Sequence, residues 1–77
     1  MESVDMVAHL AVLRCGGDPK KLREELEKHQ GDKIFYEQMI VYLKEHNEPL
    51  EDARQALVEA NACIDALFDV LRELRKI

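Results

Sequence analysis

The stretch Leu50–Ile77, LEDARQALVEANACIDALFDVLRELRKI, decides the fold. Within it Leu50, Ala53, Leu57, Ala60, Ile64, Leu67, Leu71 and Leu74 recur at alternating spacings of three and four residues. That rhythm keeps one stripe of a helix apolar. With Leu50 at heptad position a, the a sites are Leu50, Leu57, Ile64 and Leu71, and the d sites are Ala53, Ala60, Leu67 and Leu74. The flanking g sites Ala56, Cys63, Val70 and Ile77 are apolar too. A two-stranded coiled coil would carry charges at g; a stripe this wide predicts a helix packed inside a bundle. Asn47-Glu48-Pro49 precedes the helix. Glu51 and Asp52 fall in its first turn, and Arg72, Arg75 and Lys76 in its last, all matched to the helix dipole. Ala53, Ala56 and Ala60 let a neighbour approach closely, whereas the bulkier C-terminal half predicts a slight splay.

Upstream of that helix, three more segments are expected. The segment from about Lys33 to His46 carries Phe35, Tyr36, Met39, Tyr42 and Leu43 on its main face. Ile34 and Val41 lie one heptad apart on an otherwise polar side. They call for a neighbour, either the first helix or another chain. Gly31-Asp32 marks a break before this segment. The segment from about Pro19 to Gln30 opens with Asp18 as cap and Pro at the first helical position. Only Leu22 and Leu26 are apolar on its inner side. Lys20–Glu24, Lys21–Glu25, Arg23–Glu27 and Glu24–Lys28 have i,i+4 spacing, so it reads as a solvated, lightly attached helix. Gly16-Gly17 ends the first segment, from about Ser3 to Arg14. There Ser3 is a candidate cap, and Glu2, Asp5 and His9 form one narrow polar strip. The remainder of that helix is apolar, so it should be covered on more than one side.

The resulting expectation is a small all-α bundle of three to four helices with a long C-terminal helix, in one domain spanning residues 1–77 and oligomeric. Helices are expected at about 3–14, 19–30, 33–46 and 49–76. Of the 77 residues, 47% are apolar and 35% charged, with three Gly and two Pro, a balance of bundles rather than disordered chains. The net charge of −5, with acidic residues interleaved among Lys20, Lys21, Arg23 and Lys28, argues against a phosphate-backbone binder. No apolar run approaches the roughly 20 residues of a membrane span, and the acidic N-terminus does not read as a signal peptide. A cytoplasmic location is therefore expected, with Cys15 and Cys63 as buried thiols.

Motifs for chemistry are sparse. His9, His29 and His46 are widely separated, and no H-x-x-x-H, C-x-x-C or H-E-x-x-H spacing occurs, so no metal and no cofactor is expected. His9 follows Asp5 by four residues and His29 follows Glu25 by four, which reads as surface pairing. The run Gly16-Gly17-Asp18-Pro19-Lys20-Lys21 lacks the spacing of a phosphate loop. No acid–base constellation is visible, and no catalytic residue is nominated.

Association is the function class that remains. A third helix of about 14 residues would cover only half of the last one, leaving Leu67, Phe68, Leu71, Leu74 and Ile77 to be wetted in a lone copy. The expected function is a non-enzymatic protein–protein interaction module: a small acidic regulator, inhibitor, adaptor or assembly chaperone acting as a homodimer or on another protein. Its candidate interface is Ile34, Val41, Tyr42, Leu67, Phe68, Leu71, Leu74 and Ile77. The alternative is a DNA-associated regulator with a helix-turn-helix around Gly16-Gly17 or Gly31-Asp32.

Overall fold

Ser3 and Asp18 start the first two helices by the same device. The Ser3 hydroxyl accepts a hydrogen bond from the Met6 amide at 3.1 Å, and the Asp18 carboxylate accepts one from the Lys20 amide at 3.0 Å. Each satisfies an amide that the helix itself leaves unpaired. The computed structural model describes residues 3–76. Among them lie three helices and no strand: α1 (Val4–Leu13), α2 (Pro19–Glu45) and α3 (Glu51–Arg75). The all-helical bundle is thus present, with a long last helix and a second helix that matches it.

The turn after α1 uses two residues in the left-handed region, Gly16 at φ +56° and Gly17 at φ +77°, where a Cβ would be strained. After α2, Asn47 takes that role at φ 55°. The Asn47 amide donates to the Lys44 carbonyl at 3.3 Å and the Glu48 amide to the Leu43 carbonyl at 2.9 Å. This is the paired closure of a Schellman motif, with Pro49 just beyond to prevent continuation. Leu50 precedes α3 at the cap position and offers no side-chain hydrogen bond, and Glu51 and Asp52 supply negative charge to the first turn instead.

Gly31-Asp32 does not break the chain. Where two helices are expected, at about 19–30 and 33–46, one continuous helix of 27 residues runs through. The contrast with the first turn gives the reason. There, two adjacent glycines take positive φ and a capped proline restarts the helix; Gly31 is a lone glycine with neither. A glycine inside a helix costs only about 1 kcal/mol relative to alanine. Apolar side chains on both sides of it, Leu22 and Leu26 before and Tyr36, Ile40 and Leu43 after, are turned inward and outweigh that cost. Nothing lies within 4 Å of where a Cβ on Gly31 would stand. Gly31→Ala is therefore expected to raise stability by about 0.5–1 kcal/mol, read as a higher denaturant midpoint at unchanged slope; a lower midpoint would contradict this account of the helix.

Continuity of α2 corrects the length comparison as well. At 1.5 Å per residue α2 is about 40 Å long and α3 about 38 Å, so the two can run side by side as an antiparallel hairpin. Leu22 and Leu26, assigned by their sequence to a lightly attached helix, are instead core residues beside Cys15, Ile64 and Leu67. Leu22 and Leu67 are fully enclosed. α1 lies on the same α3, where Ala8 and Ala11 pack with Cys63. Small residues line these close approaches, Ala53 and Ala60 included.

The core is thin. The molecule measures 49 × 24 × 16 Å with a radius of gyration of 14.1 Å, against about 11.5 Å for a compact chain of this length. Among the described residues only four large aliphatic side chains, Leu22, Leu26, Ile64 and Leu67, are buried, while nine large apolar ones are 40–58% exposed. α1 is not covered on more than one side: Met6, Leu10 and Leu13 face outward.

Candidate functional surfaces

The eight residues expected to form one interface divide among separate places. Ile34, Val41 and Tyr42 lie on the C-terminal half of α2 and are each more than half exposed. Leu67 is fully enclosed by its own chain, so its burial requires no second copy. Leu71 and Leu74 are half-buried beside Phe68, which is 47% exposed. Ile77 lies outside the described residues.

The first surface is a band on α2. At 100° per residue, Tyr36, Ile40 and Leu43 project within about 60° of one another, and all three are half-buried. Ile34 and Val41 project on the opposite side of the helix. Phe35 and Tyr42 project between those two directions, about 100° round from Ile34 and Val41. Gln38, Glu45 and Gly31 fill the space between the two pairs. The four apolar residues are 55–58% exposed. Ile34 and Val41 do not pack beneath α1. Phe35, absent from the expected interface, belongs to this band; its one-heptad spacing to Tyr42 is the sequence signal that points to it. Its ring meets Tyr36 edge-on at 5.2 Å, and Tyr42 stacks on His46 at 4.1 Å. The His46 Nδ1 lies 2.9 Å from the Tyr42 carbonyl oxygen, which closes the last turn of the helix.

The second surface lies at the other end of the hairpin. Pro19, Arg23 and Leu26 of α2 and Phe68, Leu71, Arg72, Leu74 and Arg75 of α3 surround a groove of about 570 Å³. It opens where α3 carries leucines instead of alanines. Every charged residue lining it is an arginine. Reading α3 for its apolar stripe alone misses these cations, because Arg23 comes from a segment far away in the sequence.

A charge cluster ties α1 to α2. Arg14 Nη2 donates to Glu25 Oε1 at 2.9 Å, and His29 Nε2 reaches the same oxygen at 3.0 Å. The His29 Nδ1 is 3.9 Å from Asp32. His29 is therefore largely buried and bridging, not a simple surface pair. Glu25 prefers Arg14 to the expected Lys21, and among the described residues none of the four expected i,i+4 pairs on α2 forms. Solvated pairs of that kind contribute only a few tenths of a kcal/mol, too little to hold long side chains in place. Burial alone would raise the Glu25 carboxyl, but hydrogen bonds from Arg14 and His29 and their nearby charges hold it below its ordinary value.

A lowered carboxyl stabilises the fold above the ordinary carboxylate pKa of about 4.3, and that contribution fades as pH falls through the lowered value. Arg14 is 60% exposed, which limits the pair to roughly 0.5–1 kcal/mol. Glu25→Gln should melt below the parent chain at neutral pH, and the gap should close under acid. A gap that persists unchanged to about pH 3 would show that the carboxylate charge is not what matters.

Both cysteines are free and buried. Burial pushes both thiols up from their ordinary value, so at neutral pH they are thiols rather than the reactive thiolate. The Cys15 thiol donates to the Ala11 carbonyl at 3.4 Å. Among the described residues no group of three His, Cys, Asp or Glu side chains is placed to hold a metal ion, and no helix is long and apolar enough to cross a membrane. Comparison with protein-family models, with curated proteins and with solved structures finds no match.

Proposed function

We propose that this chain is a non-enzymatic protein–protein interaction module whose first partner is a second copy of itself. The observation that carries this reading is the exposed band Ile34, Phe35, Val41 and Tyr42, on a helix whose opposite side already packs on α3. Four large apolar side chains exposed on one side of a helix, in two pairs flanking a strip of Gln38 and Glu45, mark an interaction surface.

The spacing favours a like partner. Ile34 and Val41 are one heptad apart, and so are Phe35 and Tyr42. Two α2 helices crossing antiparallel about a twofold axis near Gln38 would therefore set Ile34 of one copy over Val41 of the other, and Phe35 over Tyr42. A patch that is its own complement under a twofold is what a symmetric dimer needs. Burying the exposed half of a large apolar side chain contributes about 0.8–1.5 kcal/mol. Eight such side chains across the pair give roughly 6–12 kcal/mol, comparable with the cost of association. The margin is small, so the dimer is weak; micromolar pairing would require about 8 kcal/mol beyond that cost.

Sedimentation equilibrium of the full chain from micromolar to millimolar concentrations tests this reading. The apparent mass should rise from one chain toward two as concentration increases. A mass of one chain throughout that range would overturn the dimer. Regulation, inhibition or assembly of a further protein is a role this scaffold can serve once paired, since α1 and the far groove stay uncovered.

A further inference from the structure

We infer that the groove between the first turns of α2 and the last turns of α3 receives an acidic amphipathic helix from another protein. This surface is separate from the α2 band, and the inference stands whether or not the chain dimerises through that band.

The floor is apolar: Leu26, Phe68, Leu71 and Leu74. Leu71 and Leu74 are only half-buried although they pack against the cluster around the enclosed Leu67, and Phe68 is 47% exposed. The groove exists because α1 lies against a different part of α3, around Cys63 and Ala66, and does not reach this face. Two helices form its walls without a third to cover it. A helix laid in such a trough offers side chains at i, i+3, i+4 and i+7 to an apolar floor.

Charge selects the occupant. The chain as a whole carries −5, yet the charged residues that line this groove are Arg23, Arg72 and Arg75, without a carboxylate among them. Arg23 stands on the α2 wall, and Arg72 and Arg75 stand one turn apart on the α3 wall. Arg72 is paired with Asp69, while Arg23 and Arg75 form no ion pair among the described residues. Guanidinium groups are weakly hydrated and fork-shaped, suited to carboxylates at an interface. Cations on both walls match a segment that carries carboxylates on both flanks of an apolar stripe. An alkyl carboxylate would engage one arginine and leave the others unused, and a tail held in so open a trough would remain largely wet, whereas small-molecule sites bury most of their ligand.

Selection from a displayed library of random helical peptides against the full-length chain tests the inference. Enriched peptides should pair an i, i+3/i+4, i+7 apolar stripe with an excess of Asp and Glu, and should bind less tightly as salt rises. Against a synthesised winner, the double variant Arg23→Glu, Arg75→Glu should weaken binding about tenfold or more, and Arg23→Gln, Arg75→Gln should fall between it and the parent chain. Both variants change residues on the open walls of the groove, so both should remain folded, which circular dichroism checks. Enrichment of neutral or basic peptides, affinity indifferent to the arginines, or no enrichment at all would overturn the inference. So would dodecanoate shifting the groove resonances where the selected peptide does not.

Discussion

Leu67→Ala is expected to lower stability by about 3–5 kcal/mol, a large share of what a chain this short holds. Leu67 is fully enclosed and packs with Leu22, Leu26, Cys15 and Ile64. Truncating a leucine in such a place removes its transfer energy and leaves a cavity that a packed surround only partly closes. At roughly 0.05–0.15 kcal/mol per residue, a chain of this length has about 4–12 kcal/mol in total. With so few large aliphatics buried, no second layer can absorb the loss. The neighbouring position is the control. Phe68→Ala removes a larger side chain, but one that is 47% exposed and faces the groove, so it should cost about 1–2 kcal/mol. Urea denaturation followed by circular dichroism, at matched concentration, measures both. If the two costs were equal, or reversed, the inward direction of Leu67 and the outward direction of Phe68 would both be wrong.

That contrast also shows what the sequence could and could not reveal. The periodicity of α3 places Leu67 and Leu71 on one stripe, and it is right about the helix and its packed face, although the helix runs from Glu51 to Arg75 and not from 49 to 76. Periodicity cannot say which neighbour covers which turn. The coverage depends on whether Gly31 interrupts α2, and a single glycine is an ambiguous signal: its cost of about 1 kcal/mol is smaller than the packing on either side. Read as a break, it halves the apparent length of the covering helix and leaves Leu67 apparently uncovered. The continuous helix encloses Leu67 with Leu22 and Leu26, and still leaves Phe68 and the groove open. The pair Ile34 and Val41 is legible because two apolar residues one heptad apart stand among polar ones. The groove is not legible, because its cations come from Arg23 on one helix and Arg72 and Arg75 on another. Arg14–Glu25 is hidden for the same reason, being a contact between helices rather than along one.

Ile34→Glu combined with Val41→Glu is expected to hold the chain as a monomer at concentrations where the parent pairs, without loss of its fold. Both side chains project away from α3, at 58% and 57% exposure, so a carboxylate at either position remains hydrated in the single chain. Helicity and melting of the dilute protein should therefore change by less than about 0.5 kcal/mol, as for other surface substitutions. In the twofold arrangement the same two changes act four times. The glutamate introduced at Ile34 of one copy would sit over the glutamate introduced at Val41 of the other, which replaces two apolar contacts by two facing like charges. Losing those contacts removes about 3–6 kcal/mol of burial across the pair. The repulsion adds to that loss, so the dissociation constant should rise by more than about a hundredfold. The mixed experiment is sharper. Ile34→Glu alone, or Val41→Lys alone, sets a charge against an apolar side chain at both ends of the axis when it pairs with itself. Mixing the two variants brings carboxylate over ammonium at one end and keeps Ile34 over Val41 at the other. A heterodimer should therefore form where each variant by itself is monomeric. Recovery of mass in that mixture, read by sedimentation, would establish the antiparallel register about Gln38. Pairing that survives the double glutamate variant unchanged would place the contact elsewhere, with the outward-facing Met6, Leu10 and Leu13 of α1 as the next surface to substitute.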